Sequence, residues 1–181
     1  MVVYQQTTKA IDNAAVTEET TPALDADMQE HSQIKAAFRQ DDGTWRQTVV
    51  TPDDGFIDKN PMVSVQEDGQ AALLYQHGKI KVIDPSAPAD SVSNQKFEGE
   101  LLLRTYDPAT GWSEPKNMWF YIDISWPLKY DLIMRNDTVL VASILQKPGE
   151  EKPSMRYASK PLGVDKVSYV ANRRALIDAL V

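Results

Sequence analysis

The sequence has no cysteine and only two histidines, His31 and His77, in 181 residues. Without cysteine the chain can form neither a disulfide framework nor a thiolate metal site. The two histidines are 46 residues apart and no third ligand stands at a suitable spacing, so the sequence does not predict a zinc site. His77 lies in the stretch YQHGK, which predicts a solvent-exposed turn residue.

Basic residues are also scarce: 19 lysines and arginines stand against 26 aspartates and glutamates, for a formal net charge of −7. This excess of negative charge disfavours nucleic acid and a polybasic membrane patch, because both need clustered positive charge. No run approaches the roughly 18 apolar residues of a membrane span. The N-terminus MVVYQQTTKA lacks the basic and apolar regions of a signal peptide. We therefore expect no nucleic-acid partner and no membrane insertion.

Short β-rich runs fill most of the chain. They are rich in Val, Leu, Ile and Tyr, are bounded by Asp, Gly, Pro or Asn, and read MVVYQQ, IKAAFRQ, MVSVQ, AALLYQ, ELLLRTY, TVLVASILQ and SMRYAS. The helical candidates are residues 22–31 and the tail SYVANRRALIDALV, and residues 84–99 are predicted to form a surface loop rich in Pro, Ser and Asp. The sequence predicts an all-β protein.

The strand pattern recurs three times. A strand-closing glutamine returns at spacings of 71 and 70 residues. An arginine ends the next apolar run of each unit, at Arg39, Arg104 and Arg156. A turn with aspartate and glycine follows, read as DDGTW, DPATGW and PLGVDKVS. We expect one repeat domain of three units, about residues 1–60, 61–126 and 127–181.

Each unit has room for four antiparallel strands, and such a meander cannot bury both of its faces alone. The repeat favours blades of a β-propeller, and a β-sandwich is the alternative. The first unit lacks an innermost strand before MVVYQQ, and three blades rarely close a ring. We therefore expect a fragment of a longer propeller. A ring completed by several copies of the chain, or a missing strand supplied by the C-terminal ALIDALV, are the alternatives.

The repeated turn resembles the Asp box of the sialidase-like, or BNR-repeat, propellers, S/T-x-D-x-G-x-T-W. RQDDGTW has Asp41, Gly43, Thr44 and Trp45 in that order, with one residue fewer between glycine and threonine. TYDPATGW keeps the threonine, aspartate and tryptophan with a late glycine, and the third unit departs further. The resemblance implies propeller blades and favours an extracellular or periplasmic location. We expect the tryptophan to be buried between neighbouring blades.

Three groups of residues are candidates for ligand binding. Arg39, Arg104 and Arg156 occupy equivalent strands and could grip a carboxylate, although repetition in every unit also fits structural ion pairs. The stretch SWPLKYDLIMR offers an asymmetric site with Trp126, Tyr130, Asp131 and Arg135. Trp119 and Tyr121 could stack on sugar rings, and burial between blades is their alternative.

Simple alternation along a half-buried strand is the competing interpretation of SWPLKYDLIMR. It places Tyr130, Leu132 and Met134 on one face and Asp131 and Ile133 on the other. A strand of this kind has a structural role and no ligand.

The stretch TPDDGFID places Asp53, Asp54 and Asp58 in a glycine-containing loop. Carboxylate oxygens suit calcium, so this loop is a candidate metal site. The spacing departs from the EF-hand pattern, and a solvated acidic turn is the alternative.

The predicted function is binding of a glycan or protein ligand on a propeller face, without catalysis. Part of a sialidase-like glycoside hydrolase and a structural interaction module of a larger assembly are the alternatives. The chain has neither the G-x-S-x-G motif nor a glycine-rich phosphate loop, and whether it is an enzyme stays open at this level. Further copies, or the remaining blades of a longer chain, are the expected protein partners.

Overall fold

A computed structural model describes residues 1–8, 30–84, 86, 95–118, 129–135, 137–145, 154–161 and 168–170. All twelve elements in this part of the chain are strands, which confirms the predicted all-β class. They are β1 (Val2–Thr7), β2 (Ser32–Arg39), β3 (Trp45–Val49), β4 (Ile57–Val65), β5 (Ala71–Val82), β6 (Gln95–Asp107), β7 (Gly111–Trp112), β8 (Lys116–Asn117), β9 (Lys129–Arg135), β10 (Thr138–Leu145), β11 (Ser154–Pro161) and β12 (Ser168–Val170). The described residues contain no helix long and apolar enough to cross a membrane.

Strands that follow one another along the chain pair with one another. β1 and β3 flank β2, β4 to β7 pair in order with β8 added to β6, and β9 to β12 form a four-stranded antiparallel meander. One pairing departs from this order, because Ser32 in β2 pairs in parallel with Ile57 in β4. This bridge joins the first two groups of strands into one eight-stranded sheet.

The repeated arginine–turn motif joins antiparallel strands in all three positions. Arg39 pairs with Trp45 across the β2–β3 hairpin, and the second motif lies in the hairpin from β6 to β7. The third separates β11 from β12, which are also antiparallel partners. The hairpins expected from DDGTW and DPATGW are therefore confirmed.

Several strand boundaries differ from the sequence prediction. β4 begins at Ile57 instead of Met62, and β6 begins at Gln95, inside the predicted surface loop 84–99. Ser168–Val170 forms a strand where a helical tail was predicted. In each case a neighbouring strand offers backbone hydrogen bonds, and pairing of this kind overrides the local preference of a short segment.

The chain divides into two compact units. The first comprises Met1–Pro61 and Tyr75–Glu100, and the second comprises Met62–Leu74 and Leu101–Val181. The largest fully buried side chains of the first unit include Ile34, Ile57 and Tyr75. Those of the second unit include Leu73, Leu74, Leu101, Leu103, Met118, Val139, Leu140 and Val141. Each unit therefore has an apolar core of its own.

Aspartates at the turns account for part of the acidic composition. At five turns of the described residues the carboxylate accepts the backbone N–H two residues further on: Asp42 from Thr44, Asp54 from Phe56, Asp68 from Gln70, Asp84 from Ser86 and Asp107 from Ala109. An aspartate in this position mimics a backbone turn. Part of the excess of acidic residues therefore has a structural role in turns.

Two glycines let β5 and β6 approach unusually closely in the first unit. A Cβ atom on Gly78 would lie 2.2 Å from the carbonyl oxygen of Glu98, and one on Gly99 would lie 2.3 Å from the carbonyl oxygen of His77. Because both obstacles are backbone atoms, they cannot move aside as a flexible side chain can. This close approach to β6 holds the backbone of β5 in place at His77 and Gly78.

We expect Gly78→Ala to destabilise the protein by about 3 kcal/mol, at the upper end of the cost of overpacking. Gly43→Ala is the matched control, because a Cβ there meets nothing within 4 Å and only the φ of +83° is unfavourable. Its cost should be about 1 kcal/mol. Urea unfolding measures both, and an equal loss of stability in the two variants would contradict the close approach.

We expect Asp107→Ala to cost about 1 kcal/mol of unfolding free energy, because the turn loses an acceptor for two backbone N–H groups. The carboxylate accepts from Ala109 at 2.7 Å and from Thr110 at 3.1 Å. Asp107→Asn keeps an acceptor oxygen and should lose less. Thermal unfolding of the two variants compares them, and identical losses would show that the turn does not depend on these hydrogen bonds.

Candidate functional site

One side of the β1–β2–β3 sheet, in the first unit, is rich in exposed apolar and basic side chains. Directly paired residues of antiparallel strands point to the same side of a sheet. The register pairs Trp45 with Arg39, Gln47 with Ala37 and Val2, and Val49 with Lys35 and Tyr4. We call this set, together with Gln33 and Gln6, the Trp45 face. Its central strand also contributes the predicted ligand-binding residue Arg39.

The Trp45 face is positively charged although the chain as a whole is acidic. None of the three strands contains an aspartate or glutamate. Lys35 and Arg39 lie four residues apart on β2, and neither forms an ion pair within the described part of the chain. An anionic ligand would therefore find two cations on this surface that form no ion pair with a described carboxylate.

Trp45 is 52% exposed, which contradicts the prediction that it is buried between blades. The preceding turn explains its position. The Asp42 carboxylate accepts hydrogen bonds from the hydroxyl and the N–H of Thr44, and these hydrogen bonds lower the pKa of Asp42. The turn is thus fixed by Asp42, not by the Asp41 of the motif, and β3 begins with its indole side chain in solvent.

The other repeated arginines lie in the second unit. Arg104 is half-buried on β6, and its Nε has no hydrogen-bond partner among the described residues. Arg156 lies on β11, where Ser143 of β10 pairs with both Arg156 and Tyr130. The structure therefore places the predicted residues Tyr130 and Arg156 in one row across three strands.

Tyr130, Asp131 and Arg135 do not share one face of β9. Leu132 and Met134 are buried, whereas Asp131, Ile133 and Arg135 are exposed, which confirms the predicted alternation. Asp131 and Arg135 therefore point away from the side to which Tyr130 belongs. The predicted residues Trp119, Tyr121 and Trp126 lie outside the described residues.

The three aspartates of TPDDGFID have three different partners. Asp53 accepts a hydrogen bond from Thr8 and pairs with His31 at 3.1 Å, and both hydrogen bonds lower the pKa of Asp53. Asp54 caps its own turn at Phe56. Asp58 belongs to β4 and contacts His77. Within the described chain no group of three or more acidic or histidine side chains is arranged to hold a metal, and calcium binding stays a prediction.

Asp58 and His77 form a buried pair in the first unit. The Asp58 side chain is 1% exposed, and its Oδ1 lies 2.8 Å from His77 Nδ1. Ser32 fixes the backbone of Asp58 from both sides, because its hydroxyl accepts from the N–H and donates to the carbonyl oxygen. His77 lies inside β5, so its predicted position in an exposed turn is wrong.

An aromatic ring supports the imidazole of His77. The ring of Phe56 stacks on it with centroids 4.5 Å apart, and Lys79 Nζ lies 4.4 Å from the same Phe56 centroid. The hydrogen bond to Asp58 raises the pKa of His77, burial opposes this, and the charges of Asp58, Asp54 and Glu100 add to it. The pair can therefore hold a proton or transfer one.

Nothing in the sequence indicated the Asp58–His77 pair. The two residues are 19 positions apart, and their contact depends on how β4 lies against β5. The Trp45 face did leave a signal, because MVVYQQ, IKAAFRQ and the residues after DDG contain no acidic residue in an acidic chain. Period-two alternation of these runs would have placed Tyr4, Lys35 and Trp45 on exposed sides.

We expect His77→Gln to destabilise the protein more at about pH 5.5 than at about pH 8.5. Because the pKa of His77 is raised in the folded state, the protonated side chain stabilises the fold. This stabilisation is complete below the unfolded-state pKa, near 6.5, and is lost as the pH rises through the folded-state pKa. Chemical unfolding of wild type and variant at both values measures the difference. His31→Gln is the control, and a His77→Gln penalty independent of pH would contradict the pairing.

Comparison of the chain with protein-family models, with curated proteins and with solved structures finds no match.

Proposed function

We propose that this chain is a glycan-binding module built from β-propeller blades, and that the Trp45 face binds an extended acidic glycan. The observation that carries the proposal is the combination on one sheet face of the exposed Trp45 and Arg39 with the half-buried Tyr4 and Lys35. The ligand is held by stacking, by hydrogen bonds to glutamine side chains and by charge pairing, with no chemistry on the glycan.

The strand order supports the propeller part of the proposal. The chain contains three groups of sequential strands, namely β1–β3, β4–β8 and β9–β12, and the last is a four-stranded antiparallel meander like a propeller blade. The same turn motif stands before the last strand of the first and third groups and before β7 in the second. These features fit the predicted units of about 1–60, 61–126 and 127–181.

Aromatic and amide side chains favour a glycan as the ligand. Trp45 and Tyr4 stand two strands and four residues apart, which corresponds to about 17 Å by strand geometry. Two rings at this separation on an open face suit several units of an extended chain. Gln47 and Gln33 supply both donors and acceptors for hydroxyl groups.

Lys35 and Arg39 favour a glycan with carboxylate groups. Arg39 pairs directly with Trp45 across β2 and β3, so a sugar stacked on the indole would bring its acidic substituent near the guanidinium. A guanidinium fork matches a carboxylate with two parallel hydrogen bonds. The rest of the chain is acidic and repels an anionic ligand. Such a ligand therefore needs both cations, Lys35 and Arg39.

A structural module of a larger assembly is the second candidate, and one observation favours it. Val2 and Val49 are each at least half exposed beside Trp45, and exposed apolar clusters are typical of protein interfaces. A protein partner would bury these side chains together. The test below separates the two candidate functions by comparing an acidic glycan with its methyl ester. Only the proposed glycan binding depends on the carboxylates of the glycan.

We expect the chain to bind oligogalacturonate and to bind its methyl ester at least 10-fold more weakly, because the ester lacks the carboxylates. Trp45→Ala should weaken oligogalacturonate binding at least 10-fold, about 1.4 kcal/mol. Arg39→Gln should weaken it similarly and should abolish the preference for the acid over the ester. Isothermal titration calorimetry at low salt, where exposed charges are least screened, measures both ligands.

Arg46→Gln is the matched control for Arg39→Gln. Arg46 is the next residue of β3 after Trp45 and lies on the opposite side of the sheet, above the Phe38 ring. It should leave binding unchanged. The proposal fails if the chain binds no acidic glycan, or if Trp45→Ala and Arg39→Gln bind as tightly as Arg46→Gln.

A further inference from the structure

The backbone of Asp58 is held by Ser32, and its carboxylate contacts His77. Ser32 Oγ lies 3.0 Å from the Asp58 N–H and 3.1 Å from its carbonyl oxygen, which ties β4 to β2. Oδ1 contacts His77, whereas Oδ2 is buried and has no hydrogen-bond partner among the described residues. A buried carboxylate needs a donor, so the pairing with His77 Nδ1 is strongly favoured.

This contact determines which nitrogen of His77 holds the proton. A carboxylate accepts a hydrogen bond, so Nδ1 carries the hydrogen and the neutral ring has its lone pair at Nε2. Phe56 covers one ring face, and the backbone is fixed where Gly99 approaches the carbonyl of His77. The side chain is 23% exposed, and no described residue hydrogen-bonds Nε2.

We propose that Asp58 and His77 form a general acid–base dyad that activates water for hydrolysis of an uncharged acyl ester. His77 Nε2 takes a proton from water while the water oxygen bonds to the ester carbonyl carbon and the C=O electron pair moves onto oxygen. When this intermediate collapses, the bond to the leaving alcohol breaks and the alcohol oxygen takes the proton from Nε2. The products are a carboxylic acid and an alcohol.

Charges around the dyad agree with this step. The carboxylates of Asp58, Asp54 and Glu100 act on His77 from β4, from the turn before it and from β6, and each stabilises the imidazolium that forms. Lys79 places a positive charge over the Phe56 ring that stacks on His77. The acidic neighbours repel a negatively charged substrate, which is why an uncharged ester is inferred.

The dyad is independent of the proposed glycan binding. It uses Asp58, His77, Phe56 and Lys79, none of which belongs to the Trp45 face. Failure of one proposal therefore leaves the other standing.

The test is hydrolysis of p-nitrophenyl acetate by the whole chain. The absence of cysteine removes the commonest competing nucleophile, and His31 is the single other imidazole. We expect kcat/KM to exceed the rate constant of free imidazole about 100-fold, within the range of general base catalysis. Wild type and His31→Gln should be equal, and His77→Gln should lose about 100-fold.

Asp58→Asn tests the role of the carboxylate, because an amide cannot hold the same tautomer. We expect a loss of about 10-fold or more with the imidazole still present. Circular dichroism establishes that each variant is folded. The comparison with free imidazole needs no variant, so the test stands even if Asp58→Asn does not fold.

Solvent deuterium is the remaining readout. Proton transfer from water makes hydrolysis slower in D₂O, whereas direct attack of the imidazole on the ester does not. A wild-type rate equal to that of imidazole, a loss in His31→Gln with none in His77→Gln, or equal rates in H₂O and D₂O would each overturn the proposal.

Discussion

The first unit depends on a buried carboxylate. Asp58 is inaccessible to water, and burial of such a group is costly unless protein atoms replace the lost solvent. Ser32 fixes its backbone and His77 Nδ1 contacts its carboxylate, so β2, β4 and β5 meet at one residue. The parallel pairing of Ser32 with Ile57 stands immediately beside it.

Two kinds of surface result from this architecture in the first unit. The Trp45 face carries two cations and exposed apolar side chains, which suits reversible binding of an extended ligand. The Asp58–His77 pair is largely covered, held on an aromatic ring and surrounded by acidic groups, which suits control of a proton. Cations stacked on rings recur nearby, with Lys59 Nζ 3.7 Å from the centroid of Phe97, where burial also lowers the pKa of Lys59. Aromatic faces thus hold positive charge in a chain whose net charge is negative.

The repeated turns form hairpins in the first two units, whereas the tryptophan of the first turn is not buried as predicted. The hairpins stand where the repeat placed them, and aspartate carboxylates cap them as expected. Trp45 is exposed, however, and the carboxylate that accepts the hydrogen bonds of the turn belongs to Asp42 instead of Asp41. Trp112 differs from Trp45, because it packs against Tyr106 with centroids 5.2 Å apart. The shared motif therefore specifies a hairpin and leaves the environment of its indole to each unit.

The sequence by itself determined the strands, their turns and the all-β class, since period-two patterns, β-branched runs and Asp–Gly turns act over a few residues. It also determined the alternation of Tyr130, Leu132 and Met134 against Asp131 and Ile133. Tertiary structure alone decided that His77 lies in a strand and meets Asp58, because the contact arises from the pairing of β4 with β5 and from the glycine contact of β5 with β6. It also decided that Trp45, Arg39, Lys35 and Tyr4 share one face of the sheet, because cross-strand register brings together residues that local sequence keeps apart.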